Sequence, residues 1–332
     1  MNSIAIIKAK KIILKYFNLR QLYFILFSIL YLIINGFLYT ISYQEIHLLW
    51  TTAGDQDFGY VLLAIAIFYG YKRSRDITLI QPFFWLALPF LALSIIHYIG
   101  QLYDVKTFRL LTLVIGWPFF LGLILGKSFF KNLLLPTALI VMALPAWYLL
   151  IPLLQSMTVF GITLALSFIN IPIFIESNFI HIPNGIIHVA GGCSGLKYLQ
   201  TAIALSIIMA LLQSHELKKI IITVIFATFL AIISNWIRVF ILILVGHFSG
   251  LDHPLMTDHD NLGWVIFLIA LIPLIVIDRK LLNKENKKEG ILDKEKMELP
   301  LNKSENQTLK ITSIFIACGC ITLPYFMLNL FC

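Results

Sequence analysis

Residues 219–245 read KIIITVIFATFLAIISNWIRVFILILV, and this stretch decides the fold. After Lys219 it carries a single charge, Arg238, and at about 1.5 Å per residue it is long enough to cross the ~30 Å hydrocarbon core of a bilayer. Residues 77–100 have the same character. Hydrophobic residues make up 59% of the 332 and charged residues only 13%, too little charge to cover the surface of a soluble core of this size. The composition therefore excludes an ordinary soluble enzyme. It predicts an all-α, polytopic transmembrane bundle forming one membrane domain over residues 1–278.

Working outward, about nine spans are expected: 21–42, 57–71, 77–99, 109–126, 132–151, 196–213, 219–245, 263–278 and 311–330. The first follows Lys8, Lys10, Lys11, Lys15 and Arg20 and lacks a small-residue cleavage site, so it reads as retained rather than as a removed signal peptide. The basic, apolar stretch ahead of it reads either as an interfacial helix or as a frayed tail.

The loops alternate in charge. One set holds the N-terminus, Lys72/Arg73/Arg75, Lys127/Lys131, Lys218/Lys219 and nine Lys/Arg within 279–310, together 21 of the 25 basic residues. The positive-inside rule makes that set cytoplasmic. Lys106, Arg109, Lys197 and Arg238 belong to the other side. The chain is thus expected in the plasma membrane, the inner membrane if the cell is Gram-negative, with its N-terminus cytoplasmic.

Segment 152–170, PLLQSMTVFGITLALSFIN, is long enough to span, but a crossing there would invert every later loop. Pro145 and Pro152 offer places to break the chain, so a helix lying along the interface or re-entering the membrane is expected. Residues 171–192, IPIFIESNFIHIPNGIIHVAGG, alternate and contain an Asn-Gly turn signal at 184–185, which predicts a small extracytoplasmic hairpin. Residues 279–310 have mixed charge and little apolar content, and are expected to form a cytoplasmic linker. Residues 311–332 would then hold a C-terminal transmembrane helix.

Three chemistry-bearing residues fall at the outer ends of successive spans: Cys193 in GGCSG, Arg238 in NWIRVF and His259 in DHDNLGW. Cys193 opens a helix expected to start near Ser194, where the helix dipole favours a thiolate. Gly191, Gly192 and Gly195 leave room for a substrate backbone, and Lys197, one turn on, adds positive charge. A small buried Cys beside a glycine turn explains the same letters.

Arg238 lies 19 residues beyond Lys219, near the outer edge of its span. There it either snorkels to headgroups or supplies forked donors to an oxyanion or a carboxylate. Asn235, three residues earlier on the same face, can hold the guanidinium or a substrate amide. His259 is a candidate acid/base oriented by Asp258 or Asp260, or else a solvated loop residue.

His247, His253 and His259, six apart, lack the i, i+4 spacing of helical zinc sites. Cys318 and Cys320 read as packing residues in the last span. No metal, cofactor or nucleic acid is implied.

HVAGGCSGLKYLQT (188–201), SNWIRVFILILVGH (234–247) and HDNLGWVIF (259–267) resemble the three signature segments of the exosortase/archaeosortase family, polytopic membrane cysteine transpeptidases. The signature region covers about 185–270. The resemblance implies a nucleophile role for Cys193, a transition-state or substrate-binding role for Arg238 and an acid/base role for His259. Ser194, Gly195, Lys197 and Asn235 would be supporting residues.

It also implies partners: secreted proteins with a C-terminal sorting signal, in which a short motif, often Pro-Glu-Pro, precedes a transmembrane helix and a basic cluster. A lipid or glycan acceptor would resolve the acyl-enzyme within surrounding membrane lipid. Soluble sortases use Cys, His and Arg on an unrelated β fold, so the chemistry would be convergent. Only two residues follow Leu330, so any accessory soluble domain is expected on another protein. The alternative from a different class is a transporter or polymerase of an exopolysaccharide pathway, which needs Arg238 but is indifferent to Cys193.

Overall fold

A computed structural model describes residues 19–52, 56–75, 77, 80–169, 171–213, 217–257 and 259–292, with backbone alone at 213, 257, 259, 260 and 281–292. The expected ninth span, 311–330, and the N-terminal basic stretch lie outside the described residues. Where the sequence reading drew one membrane domain, contacts divide the chain into two compact units that meet in sequence at Pro145/Ala146. Among the described residues, six helical stretches are long and apolar enough to cross a membrane: Leu19–Leu38, Phe84–Leu102, Lys106–Leu125, Pro145–Leu166, Leu217–Ser249 and Asn261–Lys280.

The first unit contains α1 (Leu19–Leu38), α2 (Thr40–Thr51), α3 (Gly59–Ser74), α4 (Ala87–Leu102), α5 (Lys106–Leu125) and α6 (Lys127–Val141). Helix α5 is buried along most of its length and packs against α4 and α6. The span expected at 132–151 does not continue as one helix. Met142, Ala143 and Leu144 donate to carbonyls three residues back, tightening the last turn, and Pro145 has no N–H with which to go on. The carbonyls this break frees are met by distant side chains: Trp50 Nε1 donates to Ala143 O at 2.8 Å and Gln56 Nε2 to Leu144 O at 3.0 Å.

Arg109, in the first turn of α5, is only 4% exposed. Its guanidinium forks onto Glu45 of α2, with Nη2 to Oε1 at 2.6 Å and Nε to Oε2 at 3.3 Å. Nη1 reaches Asp104 Oδ1 at 2.7 Å and Gly100 O at 3.1 Å. This outer-set arginine therefore ties three parts of the first unit together.

The second unit starts at Ala146, within a 3-10 turn, Pro145–Leu150, that runs into α7 (Ile151–Leu166). Together they form a stretch long and apolar enough to cross, where an interfacial or re-entrant helix was expected. Three strands follow: β1 (Phe174–Glu176), β2 (Phe179–Ile182) and β3 (Gly185–His188), in an antiparallel sheet of order β1-β2-β3. The Asn-Gly turn lies between β2 and β3, and β1 adds a strand to the hairpin expected from sequence. Asn184 Nδ2 donates to Gly246 O and His247 O at 3.2 and 2.6 Å, capping late carbonyls of the long helix α9.

Beyond the sheet come α8 (Leu196–Gln213), α9 (Leu217–Ser249), α10 (Pro254–Thr257) and α11 (His259–Leu292). Helix α9 packs against α7, α8, α10 and α11. Between Thr223 and Arg238 its buried face is small or polar, with Thr223, Ala227, Ala231, Ser234, Asn235 and Arg238 at helical spacing, while Ile221, Ile225 and Phe229 are exposed; further on, Val239, Leu242 and Ile243 are buried too. That is the pattern of a membrane helix, apolar toward lipid and small or polar toward its neighbours. Helix α11 carries on to Leu292, so residues 279–292, expected in a linker, continue the helix.

Replacing Arg109 with Met strips Glu45 of its partner and is expected to destabilise the detergent-purified protein by roughly 3–5 kcal/mol. The double change Arg109→Met with Glu45→Leu should recover most of that loss in thermal or denaturant unfolding. A single change with no effect would show that the buried pair does not hold the first unit.

Candidate active site

The site is built around a short non-helical turn. Gly191–Cys193 forms a 3-10 turn after β3, with Cys193 N–H donating to Ala190 O at 2.9 Å and Ser194 N–H to Gly191 O at 3.1 Å. The α-helix starts at Leu196 rather than near Ser194, because Gly195 has φ +84° and breaks the run. The thiol thus sits in a turn of its own ahead of the helix. Ser194 is buried, and its Oγ accepts the Leu196 N–H at 3.3 Å, closing the helix start.

Three carbonyls of this segment are held by side chains from α7 and α9. Gln155 Nε2 donates to Val189 O at 2.8 Å, Arg238 Nη1 to Gly192 O at 3.4 Å, and Asn235 Nδ2 to Cys193 O at 2.9 Å. Asn235 is itself fixed from behind, since Nδ2 also reaches Thr158 Oγ1 at 3.0 Å and Thr158 in turn donates to Leu154 O at 2.8 Å. A Cβ at Gly195 would stand 2.7 Å from Asn235 Cγ, so the glycine's bareness is what lets the amide reach the turn. The sequence reading offered Asn235 as a clamp for the guanidinium or a substrate amide. Here its amide nitrogen is committed to the cysteine turn.

Arg238 is among the most deeply buried side chains, 2% exposed. Its guanidinium lies 5.6 Å from the ring centroid of Tyr198, a cation–π contact, and Tyr198 stacks in turn on Phe267 at 5.1 Å. Gly263 of α11 packs onto both: a Cβ there would collide with the Tyr198 hydroxyl and stand 2.9 Å from Arg238 Cδ and Nε. Helix α11 therefore approaches the arginine at Gly263.

Position 259 is four residues earlier on α11, on the same helix face and about 6 Å along the axis. The side chains of His259 and Asp260, and all of Asp258, lie outside the described residues. Lys197 is exposed in the first turn of α8. Cys193 is outside any disulfide, half-buried, and packed against the cluster of Ile162, Val189, Val239 and Ile243.

The structure thus gathers Cys193, Ser194, Gly195, Asn235 and Arg238, with Gly263 of the histidine segment against them. Sequence reading missed Gln155, Thr158 and Tyr198. The signal for the first two was present: polar residues three apart in an otherwise apolar segment, which a buried helix tolerates only with partners. Tyr198 gave no such signal.

Thr158→Val keeps the shape and removes the hydroxyl behind Asn235. It is expected to cost about 1–3 kcal/mol and to change the rate at which iodoacetamide alkylates Cys193, whereas Thr158→Ser should do neither. Equal behaviour of the two variants in unfolding and in alkylation would mean that Thr158 does not position the turn.

A comparison with known families matches residues 50–276 to the transmembrane exosortase model (Exosortase_EpsH), which covers the whole thiol turn, its supporting helices and most of the first unit. No curated protein and no solved structure matches the chain. With some two-thirds of its length aligned to that model, the chain belongs to the transmembrane exosortase family.

Proposed function

We propose that this chain is a multi-pass membrane cysteine transpeptidase that cleaves the C-terminal sorting signal of secreted proteins at the outer membrane face and transfers the new carboxyl end to an acceptor. Family membership supports a membrane transpeptidase in general. One geometric observation carries the finer reading: Arg238 and Asn235, three residues apart on α9, donate to the successive carbonyls of Gly192 and Cys193. A buried arginine that donates to the residue before the Cys193 thiol suits oxyanion stabilisation better than headgroup snorkelling. The loop charges support an outward-facing site.

In this mechanism the thiolate of Cys193 attacks the scissile carbonyl, forming a C–S bond and moving the π pair onto oxygen. The Arg238 guanidinium stabilises that oxyanion. Collapse breaks the C–N bond, and the leaving amine, which carries the signal's transmembrane helix, takes a proton from His259. The thioester is then attacked by an acceptor hydroxyl or amine whose proton returns to His259, and Cys193 leaves as thiolate. Asn235, Thr158 and Gln155 act by holding the turn.

In cells that also express a protein ending in a short motif, an apolar helix and a basic cluster, Cys193→Ala should leave the uncleaved precursor in the membrane. His259→Gln should slow processing by about 10²–10⁴-fold, and Arg238→Lys, which loses the forked donors, by roughly 10²-fold or more. Hydroxylamine should release a trapped acyl-enzyme from the wild type and none from Cys193→Ala. Normal processing by the alanine variant would end the thiol mechanism.

A further inference from the structure

Strand β3 is the last strand of its sheet. It pairs with β2 through Ile187↔Ile180 and His188↔Phe179, and no strand among the described residues lies on its other side. An unpaired edge carries N–H and C=O groups that call for a partner strand. This edge leads directly to the thiol, with five residues from His188 to Cys193.

A cavity of about 290 Å³ opens alongside it. Its wall includes Ile186, Ile187 and His188 of β3, Val189 just after the strand and then Cys193, with Val239, Leu242 and Leu251 also lining it. Successive side chains of a strand point to opposite faces, so a cavity bordered by three consecutive strand residues runs along the strand's edge rather than beneath one face. The lining is apolar apart from the Cys193 sulfur and His188, whose ring stacks on Phe179 at 4.4 Å. A charged side chain entering it would lose its hydration, and the Cys193 thiolate would repel an anion and could offset a cation only at the cost of its own reactivity. The volume lies near the lower end of the range for ligand pockets, about 300–1,000 Å³, which suits one or two residues of an extended peptide.

We propose that the substrate peptide binds as an added strand along the free edge of β3, setting its scissile carbonyl at Cys193 and an uncharged, apolar side chain in the cavity bounded by Val239, Leu242 and Leu251. The inference rests on the cysteine transpeptidase reading and adds to it the conformation of the substrate and a specificity pocket. Main-chain pairing supplies affinity and the cavity supplies selection, as in other cases of strand addition.

The test uses full-length protein in detergent and short acetyl-dipeptide vinyl sulfones, with Cys193 labelling followed by mass spectrometry. Probes bearing Val or Leu next to the electrophile should label at least about tenfold faster than those bearing Asp or Lys. N-methylation of one backbone nitrogen should slow labelling by about tenfold or more, while methylation of the neighbouring nitrogen should not, because alternate groups face the partner strand. Leu242→Trp fills the cavity and should abolish the apolar preference, whereas Leu242→Met, which keeps the space apolar and open, should retain it.

Labelling without side-chain preference, equal sensitivity to both N-methylations, or a preference that survives Leu242→Trp would each overturn the proposal. Its fate is separable from that of the nucleophile. If the probe pattern holds while Cys193→Ala processes normally, the peptide cleft stands without thiol catalysis. If the pattern is absent while Cys193→Ala is inactive, the catalysis stands without this cleft.

Discussion

The second unit depends on how a half-buried 3-10 turn set against apolar helices satisfies its carbonyls. Helices close their own hydrogen bonds, but the Val189–Gly195 segment closes only some of its own, Cys193 N–H to Ala190 O and Ser194 N–H to Gly191 O, and in an apolar environment each unmet group costs several kcal/mol. Gln155 from one side and Asn235 and Arg238 from the other meet Val189 O, Cys193 O and Gly192 O in turn. Most of the neighbouring design follows from bringing those donors close enough. Gly195 takes φ +84° and lies bare against Asn235, Gly263 lies bare against Arg238 and Tyr198, and Gly161 leaves space for Trp236, next to Asn235 on α9.

The same constraint links fold to chemistry. The buried Arg238 guanidinium donates to Gly192 O and lies over the Tyr198 ring, and a donor oriented in advance is what electrostatic catalysis needs, because a preoriented dipole costs no reorganisation when charge develops. The first unit uses the analogous device elsewhere: Arg109 gathers Glu45, Asp104 and a backbone carbonyl, and Trp50 and Gln56 close the helix end before Pro145. In both units, long polar side chains stand in for the water that would solvate broken backbone in a soluble protein.

Much of this was legible in the letters, unevenly. Long apolar runs marked most helices, and the Asn-Gly pair marked the β2–β3 turn. Cys193, Arg238 and their glycines could be singled out because charge and glycine are conspicuous against aliphatic residues. Boundaries were less legible. The expected span 132–151 breaks at Pro145, residues 145–166 make a full-length apolar helical stretch, and α11 runs on to Leu292 through residues that composition alone assigned to a linker. Each of those outcomes turns on tertiary partners or on helix continuation, which hydropathy does not weigh. Thr158 and Gln155 were overlooked because polar residues three apart in an apolar run mark a polar face without saying which groups it meets.

The sequence by itself determined the class of the protein and the chemical candidates, because apolar length is a one-dimensional property and motifs are strings. Only the tertiary structure decided which face of α9 turns inward, and hence that Asn235 serves the thiol turn and Arg238 stands beside it. The faces of α9 differ only weakly in hydropathy, because alanines and the buried Ile220, Val239, Leu242 and Ile243 share the inward side with the few polar residues. Contacts joining residues 42, 46 and 77 positions apart, and the cavity along β3, exist only once the helices have packed.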